Sequence, residues 1–191
     1  MSRADESAAP ASESTAEPPR PRRVVLFGLV AASAVLLDAV SKAIVVAHFQ
    51  HPGHPPVRLL GGGIYLVETR NSGAAFSLGT GATVVLTLVA LAVVAFILRT
   101  AGRMRSVGWG IALGLVLGGA VGNLADRIFR APGIGRGHVV DWISLFSDDG
   151  HVWPIFNVAD SCIVCGAVLA AVLALCGIDI DGRSNRGRGG E

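Results

Sequence analysis

The sequence predicts an all-α membrane protein: four transmembrane helices with a small extracytoplasmic β-cradle. Three observations carry this. The 191 residues are 51% apolar and only 16% charged, with a mean hydropathy of +0.57, whereas soluble chains carry about 25% charge. The apolar residues gather in four blocks, about 24–47, 80–98, 107–128 and 155–176, each close to the ~20 residues a helix needs to cross a bilayer. The arginines concentrate at the block ends. A net charge of +2 is too small to suggest a nucleic-acid partner, and its placement fits membrane orientation better.

Residues 1–22 are rich in Ser, Ala, Glu and Pro without periodicity, so they read as a disordered cytoplasmic tail. The membrane domain is expected over 23–177 and a second cytoplasmic tail over 178–191. Ala32-Ser33-Ala34 resembles a signal-peptide cleavage site, but the apolar run continues to about Ala47. That is too long for a signal-peptide core, so the first helix is expected to be retained.

Basic residues set the orientation. Arg20, Arg22 and Arg23 flank the first helix, Arg99, Arg103 and Arg105 fill the link between the second and third, and Arg183, Arg186 and Arg188 follow the fourth. Both termini and the 99–106 link are therefore expected in the cytoplasm, with segments 48–79 and 129–154 outside a cell (plasma or inner) membrane. In the first outer segment, β-prone Ile64–Thr69 lies between the break Gly61-Gly62-Gly63 and the turn Asn71-Ser72-Gly73. The second contains the β-prone run His138–Ile143, and Trp153-Pro154 is expected to open the fourth helix.

Gly110, Gly114, Gly118 and Gly122 repeat every four residues in the third block and form one smooth ridge for close helix packing. Cys162, Cys165 and Cys176 all lie in the fourth block, where unpaired Cys packs as a small hydrophobe. The five His residues lie in the outer segments without metal-ligand spacing; neither a metal nor a cofactor is expected.

The polar residues within the apolar blocks locate the chemistry. The first block holds Asp38 and Lys42, the third Asn123, Asp126 and Arg127, and the fourth Asn157, Asp160 and Ser161. A charged side chain at a helix centre costs about 2.5–3.5 kcal/mol on insertion scales. With alternating helix directions, all these groups fall in the outer leaflet, as one shared site requires. Asp38 and Lys42 are spaced i, i+4 with the acid first, the favourable order for a helical ion pair. Asp141, just outside the membrane before the fourth helix, is placed to meet Asp160. A close carboxyl pair shares one proton; its ionised member takes a proton from water while the other polarises a carbonyl, as in aspartic proteases.

At these residues the sequence resembles the lipoprotein signal peptidase (signal peptidase II) family. The resemblance rests on Asp38-Ala-Val-Ser-Lys42, Asn71-Ser-Gly-Ala-Ala-Phe76, Gly118-Gly-Ala-Val-Gly-Asn123-Leu-Ala-Asp126-Arg127, Val139-Val-Asp141-Trp142-Ile143 and Phe156-Asn157-Val-Ala-Asp160-Ser161. It implies an aspartyl endopeptidase that cuts lipid-modified prolipoproteins just before the diacylglyceryl cysteine. Asp141 and Asp160 would be the catalytic pair. Asn71, Asn123, Asp126, Arg127 and Asn157 would support the site and substrate, and Asp38 and Lys42 would brace it from beneath. Implied partners are prolipoproteins and membrane lipids, with the chain a monomer. The loop 130–137 is longer than the family pattern, and Trp142 stands where Phe is more usual. Two competing readings are a small proton-coupled transporter and a non-catalytic scaffold built on the glycine ridge. The transporter reading lacks charged groups in the inner halves of the helices beyond Arg23.

Overall fold

A computed structural model describes residues 21–49, 54–73 and 81–183. Four helices form the body: α1 (Val24–His48), α2 (Gly81–Ala101), α3 (Val107–Phe129) and α4 (Val158–Leu175). All four contain stretches long and apolar enough to cross a membrane. Between α1 and α2 lie β1 (Val57–Leu59), a 3-10 turn (Leu60–Gly62) and β2 (Ile64–Asn71); β3 (Val139–Leu145) lies between α3 and α4. The strands form one antiparallel sheet in the order β1-β2-β3. Residues 1–20, 50–53, 74–80 and 184–191, with the expectations that fall on them, lie outside the described residues.

α3 is the central helix: 56% of its spanning window is buried, against 22% for α1 and 11% each for α2 and α4. The glycine ridge explains the α1 contact. A side chain added at Gly114 would meet the Phe27 carbonyl and Val30; one at Gly118 would meet Ala31 and Ala34. Gly166 allows α4 a similarly close approach to the Ala112 carbonyl of α3. The buried side of α1 is Phe27, Ala31, Ala34, Asp38, Lys42 and Val45, while Leu36, Leu37 and Ile44 face outward. Hydrophobicity therefore does not mark the inside of this helix. Small and polar residues do, because an outward apolar side chain already has a favourable environment in lipid.

The Arg-rich end is closed by backbone bonds. Arg23 N donates to Met104 O at 2.9 Å, and Arg105 N and Ser106 N both donate to Ile180 O. Trp109 Nε1 donates to Ile178 O at 2.7 Å. Residues 178–183, expected to begin a tail, thus dock on the link between α2 and α3. Cys165 faces outward instead of packing inside the bundle.

The sheet sits at the opposite end. β2 and β3 pair with Thr69 opposite Asp141 and Asn71 opposite Val139, after an irregularity between Leu66 and Thr69. The other side of β3 is strapped by Phe156: Trp142 N and Ile143 N donate to Phe156 O, and Phe156 N donates to Ile143 O. This strap corrects the expected start of α4. Phe156 bridges to Ile143, the helix begins at Val158, and Pro154 lies outside it.

Gly118→Val places a branched side chain where a Cβ alone would be 2.5 Å from Ala34 Cβ and 2.7 Å from the Ala31 carbonyl. It should destabilise the bundle by about 1–3 kcal/mol, read as a lower melting temperature in detergent. Gly28→Ala, whose Cβ meets nothing within 4 Å, should change stability by no more than about 1 kcal/mol.

Candidate active site

The site is assembled where α4 begins. A helix start leaves backbone N–H groups without intrahelical acceptors, and two carboxylates and an Asn serve them here. Asn157 is the N-cap: its Oδ1 accepts from Asp160 N at 2.9 Å, and Asp160 Oδ2 accepts from Asn157 N at 3.2 Å, a reciprocal capping box. Asp38 of α1 reaches across, and its Oδ1 accepts from Ala159 N at 3.0 Å. Gly122 makes room for it, since a Cβ there would lie 2.6 Å from Asp38 Oδ2.

Asp141 enters from β3. It is 2% exposed, a buried strand residue rather than the solvated loop acid its position before α4 suggests. Its Oδ1 accepts from Asn157 Nδ2 at 2.6 Å and its Oδ2 from Asn71 Nδ2 at 2.8 Å. Asn71 is oriented by its own turn, where Oδ1 accepts from Gly73 N at 2.7 Å. Burial pushes the Asp141 carboxyl up to about 6. The Asn71 bond opposes that rise, the Asp160 charge adds to it, and the Asn157 bond opposes it. Asp160 is partly buried, and its Oδ1 accepts from Asn123 Nδ2 at 2.7 Å. Asn157 therefore touches both acids, and Asn157 Nδ2 also lies 3.1 Å from Asn123 Oδ1.

Beneath the acids is a buried charge cluster. Lys42 Nζ donates to Asp38 Oδ2 at 2.7 Å, Asp126 Oδ2 at 2.9 Å and Asn123 Oδ1 at 3.2 Å. Asp126 also pairs with Arg130 and accepts from Val140 N at 3.2 Å, which ties the start of β3 to α3. The expected i, i+4 pair of Asp38 and Lys42 is present, but each residue also joins other elements. Arg127 lies within Coulombic reach of Asp160 and Asp141, and its guanidinium donates at 3.4 Å to the Asn123 carbonyl of its own helix.

All nine residues singled out from the sequence lie in this region. Several participants were not singled out. Thr83 of α2 donates to the Ser72 carbonyl beside Asn71; a Thr in an apolar block was the available signal. Phe156 and Val140 act through backbone atoms, which leave no residue-type signature. Glu68 pairs with Arg70 at 2.5 Å along β2.

A cavity of about 240 Å³ opens onto Asp141, lined also by Thr69, Asn71, Pro154 and Ile155. Asp149 is on its rim, where the hydrogen bond with the His151 ring holds its carboxyl down to about 2. Asp141 faces this cleft, and Asp160 is near enough for its charge to act on Asp141; two such carboxyl groups, each held by amide donors, can share a proton and activate a water.

Asp126→Ala would remove an acceptor from Lys42, Arg130 and Val140 N together. Breaking such a buried pair costs about 3–5 kcal/mol. Chemical-denaturant unfolding in detergent should show a loss of that size, with faster hydrogen exchange at β3 amides.

The signal peptidase (SPase) II family model matches residues 30–176. Among curated relatives, the lipoprotein signal peptidase of Rhodococcus jostii (strain RHA1) is 50% identical over 169 residues, covering 86% of this chain and 81% of its own. That of Streptomyces coelicolor is 47% identical over 161 residues, covering 84% and 76%. That of Mycobacterium tuberculosis (strain CDC 1551 / Oshkosh) is 46% identical over 176 residues, covering 92% and 83%. Two solved bacterial membrane enzyme structures, at 2.3 and 1.9 Å resolution, share the fold with a TM-score of 0.68 each. They are 22% and 24% identical, cover 83% of this chain, and are themselves covered to 93% and 98%. The family model and these relatives together span the four helices and the sheet, and the chain belongs to the signal peptidase II family.

Proposed function

We propose that Asp141 and Asp160 are the catalytic pair of this lipoprotein signal peptidase, which removes signal peptides from prolipoproteins by hydrolysis just before the diacylglyceryl-modified cysteine. Membership of an aspartic endopeptidase family supports the reaction class and leaves the transporter alternative without support. The observation that carries the residue assignment is that Asn157 hydrogen-bonds both acids, one of which, Asp141, lines the cleft.

The pair works with one proton between them. Asp141, whose carboxyl burial pushes up to about 6, donates its proton to the scissile carbonyl oxygen. Asp160 takes a proton from water as the water oxygen attacks the carbonyl carbon. The tetrahedral intermediate then collapses: the C–N bond breaks, Asp160 passes its proton to the departing cysteine nitrogen, and a hydroxyl proton returns to Asp141. Asn71, Asn123 and Asn157 hold the acids by amide donors. Arg127 holds a substrate backbone carbonyl. Asp38, Lys42 and Asp126 fix the elements that carry the acids.

The Arg-rich end faces the cytoplasm with both termini, in line with the positive-inside rule, and the sheet end faces outward. The membrane-embedded diacylglyceryl anchor then places the scissile bond at the depth of the acids without lipid extraction. The enzyme acts as a monomer, since one chain supplies both acids. The remaining tail segments, 1–22 and the end of the chain, lie on the cytoplasmic side.

Asp141→Asn and Asp160→Asn should each lower cleavage of a diacylglyceryl-cysteine precursor peptide by at least about a thousandfold, while the protein still inserts and melts cooperatively. Near-wild-type turnover by either variant would end the assignment. Arg127→Ala should raise KM or lower kcat by about tenfold, and unchanged kinetics would make Arg127 structural. The pH profile of kcat/KM should be bell-shaped. Its basic limb should begin near pH 6 in the free enzyme, because Asp141 loses its proton above that value; a profile flat from pH 5 to 8 would contradict the shared proton.

A further inference from the structure

Lys42 makes no direct hydrogen bond to either acid among the described contacts, yet it is only 1% exposed. Its ammonium has three hydrogens and meets three acceptors, on Asp38, Asp126 and Asn123. An ammonium can only donate, so Asn123 must present its carbonyl oxygen to Lys42. The other end of that carboxamide, Nδ2, is thereby turned to Asp160 Oδ1 at 2.7 Å. The Asn157 carboxamide is set in the same way: Asp160 N–H takes its Oδ1, which leaves its Nδ2 for Asp141. Asn123 has a second partner in Asn157 Nδ2, but that nitrogen also lies 3.3 Å from Val140 O.

We propose that Lys42 is a positioning residue of the reaction: by donating to Asn123 Oδ1 it decides which end of that carboxamide faces Asp160, and so holds Asp160 ready to accept a proton from water. The inference rests on the peptidase reading above. The charged groups facing Lys42 are Asp38 on its own helix, Asp126 from α3 with Arg130 behind it, and Asp141 from β3, with Asp160 of α4 one carboxamide away through Asn123. The Lys42 charge opposes the rise that burial imposes on Asp141, so its loss moves the dyad to higher pH in the same direction as loss of the amide donor.

The test uses the full chain in detergent with a fluorogenic diacylglyceryl-cysteine peptide. Removing Lys42 alone would strand two buried carboxylates, so Lys42→Met is combined with Asp38→Asn; Asp126 keeps Arg130. In this double variant kcat should fall by about tenfold or more, with KM within about threefold. The pH–rate bell should move up by about half a unit or more. Lys42→Arg, which retains charge and donors, should keep the bell in place. A folded double variant with wild-type kcat, or with a lower kcat and an unmoved bell, overturns the proposal. A second measurement needs no variant at position 42. With Asn labelled by 15N, the Asn123 side-chain amide signal of wild-type enzyme (identified by its loss in Asn123→Ser) should titrate with the activity. A signal that ignores pH across the bell overturns the proposal. Wild-type enzyme that fails to cleave the peptide would count against the peptidase reading, not against Lys42.

Discussion

A carboxamide can join two acids without neutralising either, and the rest of this site depends on that property. Asn157, fully buried, accepts from Asp160 N–H through its oxygen and donates to Asp141 through its nitrogen. A Lys or Arg in its place would lock both carboxylates as ion pairs, and an apolar residue would leave them unsatisfied in a low-dielectric setting. Asn71 and Asn123 repeat the device on the far sides of Asp141 and Asp160. The acids are thereby held by neutral donors.

The full charges lie one layer lower. Lys42, Asp38, Asp126 and Arg130 pair among themselves, which keeps the cost of their burial tolerable. The same cluster does mechanical work: Asp38 caps α4 from α1, and Asp126 ties β3 to α3. Close approach is the precondition, and the glycines of α3 supply it. At Gly114 and Gly118 they admit the backbone of α1; at Gly122 they admit a carboxylate. The ridge and the polar cluster are one construction: a side chain added at Gly122 would displace the Asp38 carboxylate.

Much of this was legible before any coordinates. Lipid excludes stray charge, so Asp38, Lys42, Asn123, Asp126, Arg127, Asn157 and Asp160 stood out against their apolar blocks and pointed to one end of the bundle. The β-prone runs before Asn71 and around Asp141 became β2 and β3. The start of α4 was not legible. Ile155 and Phe156 look like helix interior, but the Phe156 backbone is drawn into pairing with β3. The burial of Asp141 was hidden for a related reason: a strand acid beside Gly- and Asp-rich loops reads as solvated until β2 and the Phe156 strap close on either side of it.

Composition and spacing alone determined that this chain crosses a membrane four times and gathers its polar residues near one surface, because water-to-lipid transfer penalises every charge left elsewhere. Only the tertiary structure decided who holds whom: that Asp38 serves α4 as well as Lys42, that Asp126 anchors β3, and that one Asn spans both acids. Beyond the local Asp38–Lys42 and Asn157–Asp160 contacts, those pairings join residues 14 to 121 positions apart. Hydrogen bonds depend on distance and direction in space, and no periodicity along a chain records either.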